Sequence, residues 1–176
     1  MTAALAAVGL AGATAGGAPP RKGVKTATCR QQAGAAFPHA FTNQDNVIVG
    51  PFAFSGLRRA SKENPDAINF HGGWKSPALL RVRHRAVVTI DKGARSYARL
   101  NYTHSARGFR SQPHTTRFIA CASGQEAISN ADGKPITFWS GSFVLKQAPA
   151  CVGIKIKVDR GHPRHRTIAI GQASCP

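Results

Sequence analysis

Basic side chains recur at alternating positions in two segments of this chain. Arginines occupy 81, 83 and 85 in the segment LLRVRHRAVVTI, and lysines occupy 155 and 157 in CVGIKIKV. Alternate residues of a β-strand point to one face about 6.6–6.8 Å apart, comparable to successive phosphates along an extended polyanion. The pattern predicts a polyanion-binding surface that consists of Arg81, Arg83, Arg85, Arg99, Lys155 and Lys157.

The charge balance of the whole chain agrees with that prediction. The chain has 24 Lys and Arg against 7 Asp and Glu, a net charge of +17. Such an excess attracts polyanions, but it also keeps a protein soluble without any specific ligand, so both interpretations stand. The expected partners are anionic envelope polymers or anionic lipid surfaces. Nucleic acid is the weaker alternative, because only 7% of residues are aromatic and no stacking motif occurs.

Catalytic and metal-binding patterns are weak by comparison. The 7 histidines are scattered, and the one close pair, His162 and His165, has only Asp159 nearby as a carboxylate. No Gly-x-Ser-x-Gly motif occurs, and Ser140-Gly141-Ser142 indicates a bulge or a close backbone approach. We expect a non-catalytic protein with no metal site, no cofactor and no specific small-molecule ligand. One alternative is a small secreted hydrolase with a site assembled from distant residues, and another is a structural partner domain for an envelope protein.

Four widely spaced cysteines predict two disulfides. They stand at 29, 121, 151 and 175 and contain no Cys-x-x-Cys pair, which disfavours a zinc or thiol redox motif. Three connectivities are open, and we favour Cys121 with Cys151 and Cys29 with Cys175, because the first pair brackets a compact strand block and the second ties both ends of the domain. Four reduced thiols in a cytosolic protein are the alternative.

The segments that carry these basic residues are predicted to be β-strands. Residues 79–90 alternate apolar and basic, Asp91-Lys92-Gly93-Ala94 is a turn signal, and residues 95–103 form the predicted return strand of a hairpin. In this hairpin, Ala98, Leu100 and Tyr102 join His84 and Val88 on the core side. Four further predicted strands cover residues 116–122, 136–145, 151–158 and 166–170.

Many short strands separated by turn residues predict an all-β fold. The expected architecture is an antiparallel two-sheet sandwich of immunoglobulin-like kind, with a small β-barrel as the alternative. Residues 1–18 are uncharged and rich in Ala and Gly, which indicates a targeting segment or a flexible tail. Residues 19–36 are predicted to be a flexible linker, and residues 37–176 a single β-sandwich domain.

The C-terminal part of the chain carries four short motifs that can be compared with known proteins. They are FIACAS (118–123), TFWSGSFVL (137–145), PACVGIKIKV (149–158) and RTIAIGQASC (166–175). In these motifs the chain resembles a group of uncharacterised exported actinobacterial proteins that share Phe-x-x-Cys, Thr-Phe-Trp-x-Gly-x-Phe, Pro-x-Cys-Val and Gly-x-x-x-Cys. The resemblance implies a disulfide-bearing β domain in the cell envelope or outside the cell. It implies no activity and no functional residues.

Overall fold

The computed structural model describes residues 23–103, 108–122, 125 and 129–176, and over these residues the fold is all-β, as predicted. The predicted targeting segment, residues 1–18, lies outside the described residues. The described residues contain the strands β1 (Val24–Ala27), β2 (Val47–Val49), β3 (Phe52–Phe54), β4 (Gly73–Lys75), β5 (Ala78–Arg81), β6 (Arg85–Ile90), β7 (Ala98–Asn101), β8 (Thr115–Ile119), β9 (Ser129–Ala131), β10 (Lys134–Trp139), β11 (Ser142–Leu145), β12 (Ala150–Val158) and β13 (Arg164–Ile170). They also contain the helix α1 (Pro65–Phe70) and short 3-10 helices at Cys29–Gln31, Leu57–Lys62, Lys92–Ala94 and Phe109–Ser111.

These strands form three sheets. Sheet A has the order β1-β8-β6-β12-β13, sheet B the order β2-β3-β5-β10-β9, and sheet C the order β4-β11-β7. The neighbouring strands are antiparallel except β1 and β8, which run parallel. The arrangement is consistent with the predicted sandwich, to which sheet C and the parallel pair are additions.

The core lies between sheets A and B and is built around aromatic rings. The rings of Phe52 and Phe118 lie 5.4 Å apart, and those of Phe118 and Trp139 lie 5.2 Å apart, so β3, β8 and β10 meet there. All three side chains are fully buried. Aromatic side chains bury the largest apolar area per residue, and this cluster therefore holds the two large sheets together.

Strand alternation decides which side chains of sheet A point outward. In β12, Ile154 and Ile156 are fully buried, whereas Lys155 is half-buried and Lys157 is exposed. Successive residues of a strand point to opposite faces, so the apolar set packs into the core and the lysines face solvent. This alternation in residues 151–158 is the pattern that the sequence predicted.

The predicted hairpin of residues 79–90 with residues 95–103 is wrong. Arg83 has a φ of 68°, a left-handed backbone that interrupts the extended segment between β5 and β6. The chain leaves sheet B at Arg81 and enters sheet A at Arg85, and β6 pairs with β8 and β12. The expected return strand, β7, pairs with β11 in sheet C instead. His84 consequently lies at the turn between two sheets and not on a core face.

Residues 23–36 pack against the domain, where the sequence predicted a flexible linker over 19–36. The strand β1 extends sheet A beside β8, and the backbone N–H of Ala33 donates to the carbonyl of Phe138 at 2.9 Å. The small side chains that favoured a linker leave room for close backbone pairing at a sheet edge. The folded domain therefore starts earlier than residue 37.

The structure contains two disulfides, as predicted, but the favoured pairing is wrong. Cys29 pairs with Cys121, and Cys151 pairs with Cys175. Cys29 follows β1 and Cys121 follows β8, and the parallel pairing of these strands brings the two Cα atoms to 4.7 Å. The second bond ties the start of β12 to the chain after β13. No pattern in the sequence predicts the parallel pairing of β1 with β8. The disulfide connectivity was therefore not predicted correctly.

Candidate polyanion-binding site

Three of the six predicted polyanion-binding residues share one face of sheet A. In the β6–β12 pairing Thr89 stands opposite Lys155 and Val87 opposite Lys157, and Arg85 lies on the same face of β6 two residues before Val87. Paired residues of neighbouring strands project to the same side of a sheet. Arg85, Lys155 and Lys157 therefore lie together, while Arg81, Arg83 and Arg99 lie elsewhere.

A fourth basic residue, Arg117, completes this face. Arg117 of β8 stands opposite Val87 on the other side of β6, so Arg117 and Lys157 flank Val87 in one row across three strands. With strands about 4.8 Å apart, their backbones are separated by about 10 Å. We call the face formed by Arg85, Arg117, Lys155 and Lys157 the outer basic face.

A shallow groove of about 370 Å³ crosses the outer basic face. Arg85, Arg117 and Lys157 line it, and Arg160 of the turn after β12 adds a further cation. The one carboxylate in the groove, Asp159, is already held by two partners. Its Oδ2 lies 2.6 Å from His84 Nδ1, and its Oδ1 accepts a hydrogen bond from the backbone N–H of Arg85 at 2.8 Å.

The surroundings of Asp159 keep it ionised. Burial raises the pKa of its carboxyl, but the hydrogen bonds from His84 and from the Arg85 backbone, with the charges of both residues, outweigh burial and lower the pKa below its ordinary value. The carboxylate neutralises part of the local positive charge and positions the turn that carries Arg85. The groove still has four cations against one anion.

A wider groove of about 1140 Å³ adjoins the first one at Arg85 and Ile119. It is lined by Arg30, which follows β1, and by Arg83 of the turn between β5 and β6. Arg83 is exposed. The predicted residue Arg83 is thus placed beside the outer basic face, on the neighbouring groove. The two grooves form a continuous basic path from Arg30 to Lys157.

Arg81 has a structural environment. Its Nη1 donates to the carbonyl of Ala131 at 2.7 Å, its Nη2 lies 3.7 Å from Asp132 Oδ2, and its guanidinium lies 4.2 Å from the centre of the Phe41 ring. The guanidinium of Arg81 is therefore engaged in contacts within the protein. Arg99 is also separate, because it lies on β7 in sheet C, where it stacks over Phe109.

The groove on the outer basic face has the chemistry of an electrostatic surface. None of its described lining residues is aromatic, so these residues offer no stacking platform for the bases of a single-stranded nucleic acid. Lysine and arginine on a strand face can follow a chain of phosphate, sulfate or carboxylate groups without reading any sequence. The geometry thus favours recognition by charge spacing.

One other cleft bears on the hydrolase alternative. A cleft of about 590 Å³ beside α1 is lined by Glu63, His71 and Ser142, which are residue types that serve in nucleophilic catalysis. Within the described part of the chain, no hydrogen bond joins any two of these three side chains. The backbone of Ser140–Ser142 does show the predicted close approach: a Cβ on Gly141 would lie 2.2 Å from Tyr102 Cδ1.

The described residues hold neither a metal-ligand cluster nor an exposed apolar patch. Among the residues with a described position, no three His, Cys, Asp or Glu side chains come together as a ligand set. Phe70, at 86% exposure, is the single large apolar side chain exposed in the described ranges, so it forms no patch with others. No helix in the described part of the chain is long and apolar enough to cross a membrane.

The site residues predicted from the sequence did not include Arg30, Arg117 or Arg160. Arg117 carried a usable signal, because residues 116–122 were predicted to be a strand in which Arg117 and Phe118 point to opposite faces. Its position beside β6 depends on the order of strands in the sheet, and the alternation of side chains along one strand does not predict that order. Arg30 was assigned to a linker, and Arg160 to a turn.

Comparison of the chain with protein-family models, with curated proteins and with solved structures found no match.

Proposed function

We propose that this chain is a non-catalytic, exported module that binds anionic polymers of the cell envelope through its outer basic face. The observation that carries the proposal is the row Arg117, Val87, Lys157 across three strands, with Arg85 and Lys155 in the neighbouring rows. Strand pairing holds the Cα atoms of these residues at a fixed spacing, so the positive charges recur at regular intervals along the face. The resemblance to exported actinobacterial proteins is part of this proposal.

The charge distribution favours a polymer over a small ligand. Arg30, Arg83, Arg85, Arg117, Lys157 and Arg160 line two adjoining open grooves and not one enclosed cavity. An open row of cations gains little from one small anion, because each exposed charge pair contributes at most about 1 kcal/mol. A repeating polyanion engages several such charges at once and releases the counterions it carried.

The two disulfides support a location outside the cytoplasm. Disulfide bonds persist in oxidising compartments and are rare where glutathione keeps thiols reduced. All four cysteines are paired. An exported protein with a net charge of +17 meets anionic envelope polymers and anionic lipid headgroups before other polyanions.

Retention on immobilised heparin, a sulfated polysaccharide, tests the binding face. The triple variant Arg117→Gln, Lys155→Gln, Lys157→Gln should elute at a lower salt concentration than the native chain. The logarithm of its affinity should also depend less steeply on the logarithm of the salt concentration. On a phosphate polymer, each lost contact should reduce the magnitude of that slope by about 0.7–0.9. We therefore use polyphosphate in solution as the second probe.

The matched control is Arg58→Gln, Arg59→Gln, Lys62→Gln. These three residues are exposed on the 3-10 helix Leu57–Lys62, and the substitution removes the same charge. If both triple variants elute together, net charge alone explains retention and the outer basic face is not a site. Vesicles with and without phosphatidylglycerol then separate binding to a lipid surface from binding to a polymer.

The location is tested on protein recovered from its native host. Non-reducing peptide mapping by mass spectrometry reads the mature N-terminus and the bridges in one experiment. We expect a start near Gly16, since Ala13-Thr14-Ala15 has the small residues of a cleavage site. An intact Met1 with four free thiols would overturn the proposed export.

A further inference from the structure

A second basic cluster lies away from the outer basic face, at the junction of β1, β7 and the residues that precede β8. It surrounds a pocket of about 320 Å³ whose lining includes Lys25, Arg99, Arg110 and His114. None of the described residues that line this pocket is a carboxylate, and none of them lines the two grooves described above. The described lining therefore brings several basic side chains together.

Arg99 is held in place by the protein itself. Its Nη1 donates to the backbone carbonyl of Ala98 at 2.8 Å and to that of Arg95. Its guanidinium lies 4.5 Å from the centre of the Phe109 ring, and Lys146 Nζ lies 5.2 Å from the same ring. The Nε atom is buried and has no hydrogen-bond partner. Such a guanidinium is preorganised, since little rotamer freedom remains to be lost on binding.

The charges in this cluster repel one another. Burial and then the charge of Arg95 lower the pKa of Arg99. Burial and the charges of Arg99 and Arg95 lower the pKa of His114, although a hydrogen bond to the Arg95 backbone opposes them. In the described part of the chain, the carboxylates in ion pairs are Asp91, Asp132 and Asp159, and their partners are His165, Arg81 and His84. An anion in the pocket would relieve this repulsion.

We propose that the pocket binds a single phosphate- or sulfate-type oxyanion between Arg99, Arg110 and His114. A tetrahedral oxyanion accepts hydrogen bonds from several donors at once, and arginine is the side chain best suited to it. This site is separate from the outer basic face, and its test does not depend on the proposed function.

The ionisation of His114 in the full chain is the readout. Its pKa is measured by NMR titration of the imidazole resonances in sodium sulfate and in sodium chloride at equal ionic strength. Sulfate stays dianionic over the titration range, so its own charge does not change. A bound anion stabilises the imidazolium, and we expect the His114 pKa to rise by about half a unit or more in sulfate. An equal pKa in both salts would overturn the proposal.

Two variants tie that effect to the pocket. Arg99→Gln should weaken the sulfate affinity about tenfold, the loss expected for one charge-assisted hydrogen bond. Arg110→Gln changes an exposed side chain and serves where Arg99→Gln fails to fold. The control Arg160→Gln removes a charge from the groove on the outer basic face and should leave the His114 shift unchanged. The site would be rejected if sulfate raised the His114 pKa as much in Arg110→Gln, and in a folded Arg99→Gln, as in the native chain.

Inorganic phosphate and glycerol phosphate at pH 7.5 distinguish the source of the anion. Binding of both shows that the pocket accepts the phosphate group of a larger molecule. Binding of inorganic phosphate alone shows that it takes the free ion. Loss of heparin retention in the outer-face triple variant, with the His114 shift intact, separates this site from the proposed function.

Discussion

His84 and Asp159 form a hydrogen bond between segments 75 residues apart in the chain, with His84 Nδ1 2.6 Å from Asp159 Oδ2. His84 belongs to the turn through which the chain leaves sheet B and enters sheet A. Asp159 follows the last residue of β12. The contact therefore fixes the start of β6, and with it Arg85, against the edge of the groove on the outer basic face.

Asp159→Asn should destabilise the protein in a pH-dependent way. The pKa of Asp159 is lowered from its ordinary value of 3.8, so its contribution to stability is present above about pH 4 and is lost as the pH falls through the folded-state pKa. Both side chains are about two-fifths exposed, and solvent screening limits the loss to about 0.5–1 kcal/mol at pH 7. Urea unfolding at pH 7, 5 and 3 measures it. Asp45→Asn is the control, and an equal loss in both variants would contradict the assignment.

Gly141→Ala should cost about 3 kcal/mol of unfolding free energy. The added Cβ would lie 2.2 Å from Tyr102 Cδ1 and 2.6 Å from the carbonyl oxygen of Asn101. Tyr102 is fully buried and its hydroxyl donates to the carbonyl of Ser76 at 2.6 Å, so the ring has no room to move without breaking that bond.

Gly93→Ala is the matched control for that clash. A Cβ at Gly93 has nothing within 4 Å, and the change should stay within about 0.5 kcal/mol. Urea unfolding of both variants makes the comparison. Equal stabilities would show that the backbone at 141 is not as tightly packed as described.

Removal of the Cys29–Cys121 disulfide should cost more than removal of the Cys151–Cys175 disulfide. The first bond closes a loop of 92 residues and the second a loop of 24. In the chain-entropy description the longer loop gives roughly 1 kcal/mol more stabilisation. The double variants Cys29→Ala, Cys121→Ala and Cys151→Ala, Cys175→Ala are compared by urea unfolding without reductant. A larger loss for the short loop would contradict this account.

Arg81→Gln should reduce stability and leave polyanion retention nearly unchanged. The substitution removes the hydrogen bond to Ala131 and the contact over Phe41, at a cost of about 1–2 kcal/mol. Arg59→Gln, at an exposed position, is the control for the lost charge. We expect both variants to elute from heparin at the same salt concentration. If Arg81→Gln remained folded and eluted earlier than Arg59→Gln, Arg81 would be part of the binding surface.

The strands that could be predicted from the sequence were those whose side chains alternate strongly. Residues 151–158 are an example, because Val152, Ile154 and Ile156 alternate with Lys155 and Lys157 and half-burial imposes a period of two. The segment 79–90 has the same period, yet it is two strands in two sheets. Alternation continues through the turn at Arg83, so the period alone does not reveal the break.

The candidate site was predicted in part for the same reason. Lys155 and Lys157 were correctly placed on one face, since that inference needs only one strand. Arg117 joins them through the pairing of β8 with β6 and of β6 with β12, contacts that link residues far apart in the chain. The contacts of Arg81 could not be predicted, because its partners Phe41 and Ala131 come from distant segments.

Composition, side-chain period and cysteine spacing are local properties of the chain, and they were sufficient to predict a basic, all-β protein with two disulfides. Which strands are neighbours, which cysteines pair, and which of the 24 basic side chains share a face depend on the three-dimensional fold. Strand order is set by the packing of apolar faces across the whole domain, and many orders satisfy the same alternating pattern.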